Sequence, residues 1–397
     1  SFRVETLNLG RFGHSTVLVD NKLYFFGGSL GPCTNDVFYL DLSQQFNAEN
    51  PPWTDLTSNS GIGFKIMRNQ NNEDSFISLV YEFNLKSGQW IIPVIKGNVP
   101  ARRREFQAVA DDLGSIYVFG GGADKSIGSN ITQIFNDMAI LNTVNLTWSY
   151  GPIVNAPTPR VDYTATLLSD GVIVYIGGRE YIYGVFAVVD INQIYLYDTK
   201  LSSWSVVQTK SNILIDSRFS HSAVLASDGR IIIYGGAKIT SESDIAKAYP
   251  DLIVLNTQTS PFEWTVPQVS SNIDEVPFFP SLKSHTANLL GKYMIVAFGN
   301  ITQPNALPLG RSSNIYLLDI SSYAWVKNFE PESTTSAKSN PTTITNISES
   351  NLSKVKITIG IISGIACFTI FSAVGIFGYK WYQKRKHVDV MRISGGF

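Results

Sequence analysis

Residues Arg218–Gly236 read RFSHSAVLASDGRIIIYGG. A strand opened by Arg218 leads through the Ser-Asp-Gly turn at 227–229 into Ile231-Ile-Ile-Tyr234, and a Gly pair, Gly235-Gly236, stops it. The β-branched and aromatic run bounded by turn residues is a strand signal, and the pair marks a bend where side chains would collide. A polar stretch follows, then a second apolar strand, Ile253-Val-Leu-Asn256, and a lone Trp264. No segment of 10–15 residues with helical periodicity intervenes, so the pattern is that of an antiparallel meander of four short strands.

The same order recurs along the chain. Gly pairs follow apolar runs at Gly27-Gly28, Gly120-Gly121 and Gly177-Gly178, and Met294–Asn300 retains one glycine, Gly299. The later strand ends at Asp41, Asn142, Asp198, Asn256 and Asp319, and a Trp comes next at Trp53, Trp148, Trp204, Trp264 and Trp325. The first strands open on Arg11, Arg103, Arg160, Arg218 and Lys283. A four-stranded unit cannot cover both of its faces alone, so tandem units must pack around an axis, and the expected fold is an all-β propeller.

These residues closely resemble the kelch family over about residues 11–329: Gly-Gly after an apolar strand, a later aromatic strand and a distal Trp, five times in register. The pairs His14-Ser15, His221-Ser222 and His285-Thr286 resemble the variant common in fungal kelch and galactose-oxidase-like propellers. The resemblance implies six blades, with the second degenerate. Trp53 and Trp90 are 37 residues apart, against later spacings of 58, 56, 60 and 61. Ser58–Asp74 contains no Gly pair, while Phe76–Leu85 and Gln89–Ile95 read as that unit's outer strands.

Beyond the repeats, Glu330–Ser353 holds eleven Ser or Thr in 24 residues and reads as a disordered stalk. Ile357–Tyr379 is uncharged over 23 residues, about 35 Å as a helix, which suffices to cross a bilayer. Lys354 and Lys356 precede it and Lys380, Lys384, Arg385 and Lys386 follow, placing the C-terminal side in the cytoplasm. The expected organisation is a propeller ectodomain at 1–329, a stalk at 330–353, a transmembrane segment at 354–379 and a basic tail at 380–397 that suits anionic headgroups. Gly360 and Gly364 form a close-approach pair for weak dimerisation. Five N-glycosylation motifs, at Asn130, Asn145, Asn300, Asn346 and Asn351, all precede the span. No apolar leader opens at Ser1, which is read as a signal sequence removed or left out of the numbering.

Composition narrows the function classes. The 397 residues are 44% hydrophobic and only 16% charged, which excludes disorder as the main state. A net charge of -1 lacks the basic footprint of a nucleic-acid binder. It covers a basic tail, five Lys or Arg against one Asp after residue 379, and a correspondingly acidic ectodomain.

No catalytic, cofactor or metal residues are assigned. His-Glu-x-x-His, Gly-x-Ser-x-Gly and Cys-x-x-Cys do not occur. The galactose-oxidase likeness implies, as the alternative, a tethered copper carbohydrate oxidase. That chemistry needs Tyr, His and a Cys-linked Tyr on Cu(II), and the cysteines here are Cys33 and Cys367. The expected function is therefore non-catalytic binding of a protein or glycan by loops between strands two and three and between four and one. The first set is Ala123–Phe135, Arg179–Gln193, Ala237–Pro250 and Ile301–Ser313. Arg102, Arg103 and Arg104 are candidates for engaging carboxylates, and Tyr181 and Tyr183 for stacking on a ligand.

Overall fold

The computed structural model describes residues 10–30, 34, 36–57, 79–241, 244–270, 279–302 and 310–331. Within these residues the chain is all-β, with one short 3-10 turn at Lys125–Ile127. The stalk from 332 onward, the span Ile357–Tyr379, Gly360, Gly364, Asn346, Asn351 and the inner part of the second repeat at 58–78 lie outside them. Among the described residues no helix is long and apolar enough to cross a membrane.

Repeat five shows the plan. Ser222–Leu225, Arg230–Tyr234, Leu252–Asn256 and Glu263–Thr265 form an antiparallel sheet in chain order. Repeats one, four and six repeat it, and repeat three adds Lys96–Gly97 in parallel at its outer edge. Repeat two contributes the pair Glu82–Asn84 and Gln89–Ile91. Ile231, Ile232, Ile233 and Tyr234 are all buried because this strand has a neighbouring sheet on each face. Hence it reads as a continuous apolar run rather than as an alternation.

Each third strand ends in Asp or Asn for a local reason. The side chain accepts the N–H two residues on, at Asp41–Ser43, Asn84–Lys86, Asn142–Val144, Asp198–Lys200, Asn256–Gln258 and Asp319–Ser321, over 2.8–3.0 Å. This Asx turn aims the chain into strand four.

Six apolar clusters join the sheets in turn, and each holds one of the tryptophans. Trp90 lies with Tyr24 and Phe26, Trp148 with Val80 and Val118, and Trp204 with Phe119 and Tyr175. Trp264 lies with Ile176 and Ile233, and Trp325 with Tyr234 and Val296. Trp53 packs on Phe25 and Phe38, in the cluster that joins repeat one to Tyr293, Ile295 and Phe298 of repeat six.

The chain leaving one repeat straps onto the next. Lys96–Gly97 lies along Thr147–Trp148, Lys210 bridges Glu263, and Ser270 bridges Ala324. Asn328–Phe329 pairs with Asn47 and Phe46 of repeat one, where the rings of Phe46 and Phe329 stack at 5.1 Å.

The structure sharpens one sequence reading and corrects two. Gly299 is the second member of its pair, since Phe298 occupies the first position at φ +58, against +67 at Gly235. Lys283 does not stand in register with the strand-opening arginines: the N–H of Gly178 donates to Arg218 O and that of Gly236 to Leu282 O, which puts Leu282 there. Long loops between strands two and three are in part β-hairpins: Gly122–Ala123 with Gln133–Ile134, Arg179–Ile182 with Val185–Val188, and Ala237–Ser241 with Asp244–Lys247.

Candidate functional site

The segment that opens each first strand builds the centre of the molecule. Gly13, Glu105, Asp162, Ser220 and Ser284 occupy equivalent positions, all at φ between +54 and +61. Their backbones are linked in series. The N–H of Gly13 donates to Ser284 O, Ser284 to Ser220, Ser220 to Asp162 and Asp162 to Glu105, each over 2.8–2.9 Å. One residue further on, a second series crosses the same boundaries through side chains. His14 Nε2 lies 2.8 Å from Thr286 Oγ1, His285 Nε2 2.7 Å from Ser222 Oγ, and His221 Nε2 2.9 Å from Thr164 Oγ1.

Burial holds these imidazoles neutral. It pushes His285 down to about 3 and His14 and His221 well below the ordinary value, with nearby Arg11 and Arg218 adding to the latter two. Among the described residues, no three His, Cys, Asp or Glu side chains cluster as metal ligands.

The arginines also correct the sequence reading. Arg103 is buried, with both guanidinium nitrogens on Asp137 (2.5 and 3.0 Å) and a further bond to Gly120 O at 3.0 Å. Arg104 is buried against Asp124 and Glu105. Neither presents charge to a ligand, and Arg102 is half-buried. Arg104 belongs to a buried ionic network in which Arg179 binds Asp162 and lies 3.9 Å from Glu105. Burial first, and then neighbouring Asp162, push the Glu105 carboxyl up to about 7 against the pull of Arg104 and Arg179.

This network anchors the hairpins above it. Arg179 opens the hairpin strand Arg179–Ile182, and its guanidinium lies over Phe186 and Phe219 at 4.7 and 4.8 Å. Tyr181 is half-buried and faces Phe186 across the hairpin at 4.9 Å, so part of its ring is already covered. The turn is Tyr183-Gly184, both at positive φ, a two-residue connection that matches strand twist. Tyr183 is fully exposed.

Beside it stands the hairpin of repeat five. Ile182, Val185, Ile239, Ile245 and Tyr249 are exposed along with Tyr183, so an apolar rim rises from the two. Tyr183 of this rim and the adjacent, half-buried Tyr181 were legible as candidates, whereas Ile239, Ile245 and Tyr249 were not. The alternating run on either side of Tyr183-Gly184 was the available hairpin signal.

The glycosylation motifs fall in different surroundings. Asn130 and Asn145 are exposed, whereas Asn300 is half-buried in a paired strand.

Comparison with known proteins agrees with this architecture. The profile of the KLHDC2/KLHL20/DRC7 Kelch-repeats domain matches residues 62–299, and that of the Kelch motif matches residues 10–45. Human Kelch domain-containing protein 3 is 26% identical over 231 residues, covering 57% of this chain and 47% of that protein. Mouse Multiple epidermal growth factor-like domains protein 8 is 26% identical over 236 residues, 54% of this chain and 8% of its own length. Human Host cell factor 2 is 29% identical over 184 residues, 44% and 17% respectively. The chain thus spans about half the length, or less, of these relatives. With five Gly-marked sheets in series and a domain profile matched over more than half its length, this chain belongs to the kelch-repeat family.

Proposed function

We propose that this protein is a non-catalytic recognition module, a ring of six kelch blades that binds a protein partner on its hairpin face. Six Asx turns and six apolar seams, including the seam between repeats six and one, support the blade number and a closed ring. The observation that carries the function is the exposed apolar rim of Ile182, Tyr183, Val185, Ile239, Ile245 and Tyr249 above a buried ionic base. Aliphatic groups projecting beside an aromatic one suit a protein surface, since contiguous apolar exposure marks interaction sites. The copper oxidase alternative draws no support from the histidines, each of which is engaged with a hydroxyl of the adjoining repeat.

Strand order supports one orientation of the rim. The hairpins extend from the connections between strands two and three, whereas Phe329 leaves the fold beside Phe46, between strands three and four of repeat one. In an antiparallel meander these lie on opposite faces. A stalk and membrane span following residue 329 would therefore present the apolar rim away from the bilayer, outside the cytoplasm.

The test is a quantitative binding screen of the full chain against secreted and cell-surface proteins, repeated with the Tyr183→Ser, Val185→Asp and Ile245→Asp triple variant. Specific binders should lose at least about tenfold in affinity, 1.4 kcal/mol, with an unchanged melting temperature. Retained affinity for the triple variant sinks the reading.

A further inference from the structure

We infer that Asn130 and Asn145 carry N-linked glycans and that Asn300, with the same motif, does not; the inference rests on the extracytoplasmic placement proposed above. Asn145 sits in the turn between Met138–Asn142 and Thr147–Tyr150 and is exposed. Asn142 closes that turn by accepting the N–H groups of Val144 and Asn145, both at 3.0 Å. The turn therefore does not depend on the Asn145 carboxamide. At Asn130 the local closure is likewise made by a neighbour. Ser129 Oγ donates to Ile131 O at 2.8 Å and accepts from Ile131 N at 3.3 Å, while Asn130, Ile131 and Thr132 are all exposed. Both motifs thus present the acceptor on a short surface connection, with the hydroxyl residue exposed at Thr132 and half-buried at the start of a strand at Thr147.

Asn300 differs in each respect. Its strand, Asn300–Thr302, pairs with Ser281–Lys283, and Asn300 also bridges Arg311. Thr302 is buried, with its hydroxyl donating to Ser281 O at 3.1 Å. A Cβ on the preceding Gly299 would come within 2.7 Å of His285 Cβ and 3.0 Å of Lys283 O, so the backbone leading into Asn300 is packed closely on the opening segment of repeat six. A glycan added before folding would stand where these strands must pair.

The transfer forms a bond from the Asn carboxamide nitrogen to the anomeric carbon of a polyprenyl-diphosphate oligosaccharide. The bond from that carbon to phosphate oxygen breaks, and the amide proton leaves with the diphosphate. Asn130 lies in the connection between strands two and three, on the same face as the apolar hairpins, and Asn145 lies on the opposite face. In the same connection of repeat three, Ala123, Ile127 and Phe135 pack together and are buried, while Ile131 is exposed. A glycan on Asn130 borders the recognition rim without covering its apolar residues and leaves binding to repeats four and five.

The experiment expresses the full chain in a secretory-competent cell. Endoglycosidase mobility and glycopeptide mass are read for wild type, Asn130→Gln, Asn145→Gln, Asn300→Gln and Asn346→Gln/Asn351→Gln. Asn130→Gln and Asn145→Gln should each remove one mobility step, and Asn300→Gln none. Glycan on Asn300, or glycan confined to Asn346 and Asn351, overturns the assignment while leaving the topology standing. A chain with no glycan at all removes the topology reading and the assignment with it.

Discussion

The imidazole of His285 lies 2.7 Å from the hydroxyl of Ser222, on the adjoining repeat, with the proton that this contact needs buried between two sheets. His14 and His221 make the equivalent contact. The three histidines at equivalent places in the repeat are ties from one blade to the next.

These ties predict acid sensitivity. Each histidine is held neutral in the fold, with His285 down to about 3, and takes up a proton near 6.5 once unfolded. A depressed native value contributes stability above the unfolded value that is lost as pH falls. Below about pH 6, three such groups give a slope approaching ~4 kcal/mol per pH unit. Urea midpoints between pH 7.5 and 5 should fall accordingly, with His285→Gln flattening the slope by about a third. An unchanged slope would refute the buried neutral state.

Glu105 has the opposite sign. Its carboxyl is pushed up to about 7, so the stability it contributes is complete below the unfolded value near 4.5 and declines as pH rises through 7. Glu105→Gln keeps the shape and removes the titration. From pH 6 to 8 the histidines make stability rise while Glu105 opposes them, so the variant should gain more stability over this range than wild type; parallel curves would contradict the burial argument.

The glycine pairs are unequal to other glycines. At Gly235, φ is +67 and an added Cβ would lie 2.2 Å from Leu282 O of the next repeat. Gly235→Ala should cost about 3 kcal/mol or more. At Gly184, with φ +84 but nothing within 4 Å, the same change should cost only about 1 kcal/mol. Thermal or denaturant unfolding decides, and equal costs would mean that close packing between blades is not what selects the pair.

Phe298 shows what happens where that glycine is absent. Its ring meets His14 edge-on at 5.2 Å and Trp53 stacked at 5.9 Å, in the seam between repeats six and one. Phe298→Gly restores the repeat's residue but empties the seam, and should cost about 3–5 kcal/mol. Hydrogen exchange should rise in Thr286–Leu290 and Ser15–Val19 before it rises in repeats three to five. A uniform rise would count against a local seam.

The repeats were legible because each mark has a local cause. Ile231–Tyr234 is apolar throughout because that strand is covered on both faces, Asn256 closes its own turn, and Trp264 fills a seam that every repeat must fill. The register of repeat six was less legible. Leu282 and Phe298 replace the residues that mark the position elsewhere, and their backbone partners reveal the equivalence: Gly236 donates to Leu282 O, and Phe298 donates to Asn314 O as Gly235 does to Asp251 O.

The candidate site divides the same way. Arg179–Gln193 read as a loop, and the structure folds it into a hairpin whose turn, Tyr183-Gly184, meets the local demands of positive φ and strand twist. The run Arg102-Arg103-Arg104 could not disclose its burial, because Asp124 and Asp137 reach it only after the hairpin of repeat three has folded back. Sequence alone therefore determined the repeat, the turns and the apolar strands, which depend on each residue and its near neighbours. Tertiary structure decided which charges are neutralised inside, which histidines tie one blade to the next and which apolar residues stay outside, because those outcomes depend on partners up to 272 residues away.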